Sequence, residues 1–190
     1  GTINEERLKV RSVKVYADGA LGSRGALLKK AYSDQAHHHG LQLASRQHFL
    51  EVANWCKTHG FQMNTHCIGD SANKLLLDVY GEVLGGTNDL RWRIEHAQVV
   101  SPDDRPKFGM YSIIPSVQPT HATSDGRWAE ERLGADRIES AYAYEALRKT
   151  MGLLALGTDF PVEGIDPQAT FKSAVVRKDA QGWPKDGYMP

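Results

Sequence analysis

Residues 60–70, "GFQMNTHCIGD", run from a glycine through a short apolar segment to His66, a small turn and Asp70. A single histidine there says little, because neutral imidazoles are often buried on a hydrogen bond to backbone or carboxylate alone. The same event recurs, however. "RWRIEHAQ" (91–98) ends an alternating stretch on His96, and "LLALGTDFPV" (153–162) ends an apolar run on Asp159. Three strand ends therefore carry residue types that ligate metals.

Working outward from these stretches, strand-like and helix-like segments alternate. Strands are expected at 11–16 ("RSVKVY"), 61–65 ("FQMNT"), 90–95 ("LRWRIE"), 111–117 ("YSIIPSV", broken late by Pro115) and 152–157 ("GLLALG"). From Ser45 a helix puts Phe49, Val52, Ala53 and Cys56 on one face, with Gly60 as its stop. Asp70 is expected to cap a second helix with Leu75, Leu76, Val79 and Val83 as its apolar stripe. Ser101 and Pro102 start a short helix, "SAYAYEALRKT" (140–150) holds another, and Asp166 with Pro167 starts the last. Two connections, 17–40 and 118–138, are far longer than a simple link needs, and such loops usually carry function.

This makes about five strand–helix units. His66 and His96 lie 30 residues apart, and His96 and Asp159 lie 63 apart with one strand between. A unit of a (β/α)8 TIM barrel averages about 31 residues, so the expected fold is a partial barrel, and residues 1–190 read as a piece of one domain. Parallel strands put their C-terminal ends on one face, where active sites of this architecture sit. Val13 and Val15 point to the helix side of their strand and Lys14 to the barrel interior. A buried lysine needs its charge removed or paired, and Asp18 or Asp159 would be the partner.

Composition bounds the function. The 190 residues are 41% hydrophobic and 24% charged, and 23 basic side chains balance 23 acidic ones. Zero net charge argues against nucleic acid and anionic membrane, and no run approaches the roughly 18 apolar residues of a membrane span. A small-molecule substrate fits better. Cys56 and Cys67 are too few for a disulfide framework, and Cys67 reads as a small packed residue. The opening "GTINEERLKV" lacks an initiator methionine and a signal region, and "DGYMP" does not read as a domain end. The expectation is a segment of a longer polypeptide, with the cytoplasm favoured by the lack of a visible signal and the compartment otherwise undetermined.

"VKVYADGALGSRGALL", "NTHCIGDSAN", "RWRIEHAQVVSPDD", "PSVQPTHATSD", "WAEERLGADR" and "GTDFPVEGIDP" together resemble the metal-dependent amidohydrolase superfamily, in the amidohydrolase-3 branch that includes N-substituted formamide deformylases. The resemblance covers nearly the whole chain in six ordered motifs. It implies strands four to eight of the barrel, with His66 and His96 as metal ligands from strands five and six and Asp159 as the strand-eight aspartate. Lys14 falls where the superfamily often carries a carboxylated, metal-bridging lysine. One or two divalent ions, zinc before others, are implied, and hydrolysis of carbon–nitrogen bonds in N-substituted amides or formamides.

Elementary chemistry agrees with those roles. A divalent ion lowers the pKa of bound water from 15.7 to about 7 and so supplies hydroxide for attack on a carbonyl. Asp159 could take its proton and return it to the leaving nitrogen, with His121 as a second catalytic candidate. Arg24, Gln118 and His121 lie on loops that should rim the same face and could position the substrate carbonyl, although a structural ion pair suits Arg24 equally well. The family's His-x-His pair from strand one has no counterpart here. His37, His38 and His39 sit in a polar loop without the rigid support that ligands need. Two classes remain open: a hydrolase segment, or a non-catalytic module that binds or assembles. A sheet of five strands leaves unpaired edges, so homo-oligomers and weak metal binding are expected of the chain alone.

Overall fold

The computed structural model describes residues 2–3 and 7–185. A two-residue antiparallel ribbon, β1 (Thr2–Ile3) with β2 (Leu8–Lys9), precedes a five-stranded sheet. That sheet contains β3 (Ser12–Tyr16), β4 (Gln62–Cys67), β5 (Arg93–His96), β6 (Ile114–Val117) and β7 (Ala155–Leu156), side by side in chain order. Every neighbouring pair is parallel. Helices fill the connections: α1 (Arg46–His59), α2 (Asp70–Leu84), α3 (Pro106–Met110), α4 (Pro119–Asp125), α5 (Ala129–Leu133), α6 (Ala135–Ile138) and α7 (Tyr144–Met151), with α8 (Pro167–Val176) after the last strand. Parallel strands alternating with helices make this part of a (β/α)8 barrel. Among the described residues, no helix is long and apolar enough to cross a membrane.

Local chemistry explains the boundaries. Ser45 caps α1 by accepting from His48 N at 3.2 Å, and Gly60 ends it at φ +68°. Phe49, Ala53 and Cys56 are fully buried, while Val52 is half-buried at the margin of the same face. Asp166 caps α8 by accepting from Gln168 N at 2.8 Å.

Several boundaries differ from the sequence expectation. Asp70 does not cap α2. The helix starts at Asp70, and the carbonyl of Leu27 accepts from Ser71 N and Ala72 N instead. That carbonyl comes so close that a Cβ on Gly69 would lie 2.0 Å from it, which explains the glycine at the cap position. The Asp70 carboxylate is used elsewhere, accepting from Lys29 N at 2.9 Å. Ser101 precedes only a three-residue 3-10 turn, Pro102–Asp104, and its hydroxyl accepts from Lys29 Nζ rather than capping. The strand expected to break at Pro115 runs through it, with Ile94 opposite Pro115. Its missing N–H falls before the two-residue ladder with β7, so no sheet hydrogen bond is lost. The connection 118–138, expected to be a loop, is mostly helical in α4, α5 and α6.

The core lies between the sheet and its helices. Met63, Thr65 and Cys67 of β4 and Ile94 of β5 are buried there with Leu76, Tyr80 and Trp92. Tyr80 packs edge-on to Trp92 and joins Thr65 Oγ1 at 2.7 Å. Sheet alternation sends the intervening residues, Lys14, Asn64, His66, Arg93 and Glu95, to the opposite face.

Candidate metal centre

His66 stands one residue before the end of β4, in phase with Asn64 and beside Tyr16 of β3 in register. His96 ends β5 differently. Strict alternation from the core residue Ile94 would turn it toward the helices, yet its φ of +75°, followed by +43° at Ala97, breaks the alternation and places it in the cleft wall. Asp159, three residues past β7, is also left-handed at φ +57°. Non-glycine residues held this way cost about 1–3 kcal/mol each and cluster at functional sites. His121 comes from α4, which Pro119 starts directly after β6.

These side chains converge at the C-terminal ends of the strands. One ligand atom from each of His96, His121 and Asp159 lies within 4.8 Å of the others. His121 Nε2 is 3.7 Å from Asp159 Oδ2. The His66 and His96 rings meet at 4.5 Å, and the His96 and His121 rings lie nearly parallel at 5.9 Å. A cleft of about 390 Å³ is bounded by these four residues together with Lys14 and Trp128.

The donors suit a cation. His66 Nε2 and His121 Nε2 are buried without a hydrogen-bond partner, an unusual state for a buried polar atom. His96 Nδ1 lies 2.7 Å from Gln118 Oε1, so Nδ1–H donates to that amide oxygen and the free lone pair sits on Nε2. Burial lowers His66 to about 4, helped by the charges of His96 and Lys14, and burial likewise lowers His96 to about 4. Both are therefore neutral near pH 7, the form that ligates.

Lys14, His66, His96, His121 and Asp159 all line the one cleft. Lys14 faces the expected side but is exposed rather than buried, on a strand at the edge of the sheet; its Nζ sits over the Tyr16 ring at 4.7 Å. The expected pairing of Lys14 with Asp18 is not formed. Asp18 is fully buried and accepts from Leu27 N (2.8 Å), Ile68 N (2.9 Å) and Gly69 N (2.8 Å), with Oδ1 3.6 Å from His66 Nε2. Burial pushes its carboxyl up to about 7, against these three N–H groups that favour the anion. Arg24 is outside the cleft and forks onto Asp34, Nε to Oδ1 at 3.1 Å and Nη2 to Oδ2 at 2.8 Å. Gln118 is buried against His96 rather than presented to a substrate. His38 and His39 bind the backbone carbonyls of Arg24 and Leu28, as a surface loop would.

Sequence reasoning passed over Gln98, Asp125, Trp128 and Glu163, which also line the cleft. The signal for Asp125 was its four-residue spacing from His121, one helical turn, which is hidden when 118–138 is taken as a loop.

Comparison with known proteins identifies the family. Residues 2–189 match the amidohydrolase family. The chain is 36% identical over 180 residues to Protein LONG AFTER FAR-RED 3 of Arabidopsis thaliana, covering 93% of this chain and 31% of that protein. It is 34% identical over 169 residues to the putative amidohydrolase YtcJ of Bacillus subtilis (strain 168), covering 89% and 32%. Crystal structures of uncharacterized metal-dependent hydrolases from Pyrococcus horikoshii OT3 and Pyrococcus furiosus both superpose with a TM-score of 0.83. Their identities are 34% and 32%, covering 93% and 92% of this chain and 35% and 36% of theirs. The chain thus spans about a third of the length of the relatives it matches. Matched from residue 2 to residue 189 and one-third identical to a protein of that name, this chain belongs to the amidohydrolase family.

Proposed function

We propose that residues 1–190 form part of the barrel domain of a metal-dependent hydrolase, and that the whole protein cleaves carbon–nitrogen bonds of N-substituted amides or formamides. The observation that carries this reading is the convergence of His96, His121 and Asp159 from three successive strand ends, with ligand atoms within 4.8 Å. Neutral imidazoles and a carboxylate match zinc best among common divalent ions. His66, His96, His121 and Asp159 would hold it, and Lys14, which lines the same cleft, completes the set. A divalent ion bound there supplies a hydroxide nucleophile near neutral pH.

The chain's own residues do the rest. Gln118 fixes the His96 ring through Nδ1 and so keeps Nε2 as the ligating atom. Asp159 carries a carboxylate beside the reacting centre that takes a proton from the attacking water and gives it to the departing nitrogen. Leu21 and Ile68 line the cleft with buried apolar surface that lowers the local dielectric beside the reacting bond. Metal analysis and a screen of N-formyl and N-acyl amides on the protein that carries this chain test the proposal. Expected are bound divalent metal and hydrolysis that a chelator abolishes and zinc restores. Hydrolysis indifferent to chelation, or bound metal with no amide turned over, would sink it.

A further inference from the structure

Along one side of the cleft, the chain after His96 is tied to the helix that carries His121. Successive left-handed residues, His96 and Ala97, swing the backbone out of β5, and the segment that follows runs beside residues 140–142. Tyr142 N donates to Gln98 O at 2.6 Å, Val100 N donates to Ser140 O at 3.1 Å, and Val99 bridges Ala141. The side chains repeat the link. Gln98 Nε2 donates to Tyr142 Oη at 2.6 Å and to Asp125 Oδ2 at 3.2 Å, and Tyr142 Oη donates to Asp125 Oδ2 at 2.7 Å. Gln98 and Tyr142 are buried, and Tyr142 is itself left-handed at φ +54°.

Asp125 closes the circuit on the other side. It lies four residues after His121 on α4, one turn away on the same helix face. The hydrogen bonds therefore run from the backbone two residues beyond one imidazole to the helix turn adjoining the other. Nothing in a two-residue left-handed excursion holds itself in place, since each residue would relax to an ordinary conformation if released.

We infer that Gln98, Tyr142 and Asp125 form a brace of positioning residues that fixes the His96 and His121 rings relative to each other. It rests on the proposed function only in what the two imidazoles hold. A satisfied, buried polar network specifies geometry more sharply than apolar packing, which tolerates small slides. Removing the Tyr142 hydroxyl leaves Asp125 Oδ2 and Gln98 Nε2 without their shared partner while the ring still fills its space.

The metal-free chain, labelled with 15N-histidine, gives a direct readout in long-range 1H–15N imidazole correlations. In Tyr142→Phe the His96 and His121 resonances should shift and broaden, whereas those of His48 and His59 on α1 should stay. Asp125→Asn keeps an acceptor of the same size for the tyrosine and should leave the His96 resonances as in the wild type, with any shift confined to His121, whose neighbouring charge it removes. Phe49→Leu, which weakens the core far from the brace, should lower the urea midpoint and leave both rings unmoved. Cobalt(II) titration then reads the consequence: Tyr142→Phe should lose at least tenfold in affinity and change the visible absorption envelope. If Tyr142→Phe is insoluble, Gln98→Met removes the donor to both partners and takes its place. Unchanged His96 and His121 resonances in Tyr142→Phe, or equal shifts in Phe49→Leu, overturn the brace. Wild-type chain that binds no cobalt overturns the metal reading instead, and the imidazole measurement still decides the brace.

Discussion

His66 and His96 leave strands whose helix side is filled by Met63, Thr65, Cys67, Ile94, Tyr80 and Trp92, all fully buried. Asp159 leaves a two-residue strand, and the chain around it exposes Phe160, Val162, Ile165, Phe171 and Val175, with Phe171 68% and Val162 73% accessible. Residues meeting at one cleft are thus carried by unequal foundations. Local stability follows buried apolar contact, so the β4–β5 side should resist opening close to the global limit while the β7–α8 side opens first. Good donor chemistry at the ends of strands does not require equal packing beneath each donor.

The sharpest way to break this comparison is chemical. Asp159→Asn keeps the side chain's size and removes its basicity, so turnover of an amide substrate by the protein carrying this chain should fall roughly 10²–10⁴-fold with the circular dichroism unchanged. Near-wild-type turnover would remove the weakly founded side from the mechanism.

The next effect is in stability. Trp92→Ala on the packed side vacates a fully buried site and loses the bond from Nε1 to Phe61 O, and should cost about 3–5 kcal/mol in urea unfolding. Phe171→Ala on α8 should stay within about 0.5 kcal/mol, as exposed substitutions do. Comparable costs would mean that the α8 face is covered in solution and that the two sides are not unequal after all.

A smaller effect comes from titration of the metal-free chain. His66 and His96 stand at about 4 when folded against an ordinary 6.5, so the stability they contribute is present above pH 6.5 and lost as pH falls through 4. Asp18, at about 7 against an ordinary 3.8, has the opposite sign: its contribution is present below 3.8 and lost as pH rises through 7. Between pH 4 and 6.5 the two imidazoles are opposed by the carboxyl of Asp18 and by that of Asp125, which burial also raises, so stability should rise with pH by at most about 1.4 kcal/mol per unit. A falling curve in that window would show that the packed side does not hold its histidines neutral.

The smallest effect is expected at Arg24. Its guanidinium is engaged by Asp34 outside the cleft, so Arg24→Gln should leave the thermal midpoint and the KM for an amide substrate unchanged. A tenfold rise in KM would return Arg24 to the substrate site.

The sequence by itself determined the architecture and the strand ends at which His66, His96 and Asp159 stand. Five apolar segments alternating with helix signals, with Ser45, Gly60 and Asp166 as punctuation, are local features, and they specify parallel strand–helix units whatever packs around them. His66 could be placed from alternation, because period two is intrinsic to an extended strand. Tertiary structure decided what alternation cannot express. His96 reaches the cleft only through a left-handed backbone that breaks the period, and such backbone persists only where surrounding contacts hold it. The cap of α2 comes from Leu27, 44 residues before Ser71 in the chain, so Asp70, the obvious local candidate, was free to bind Lys29 N. Asp18 bonds to Ile68 and Gly69, and Asp125 to Tyr142 and Gln98, across separations that no local pattern encodes. Short-range preferences act within a few residues and are written in the sequence, whereas a buried carboxylate takes whichever donors the fold brings to it.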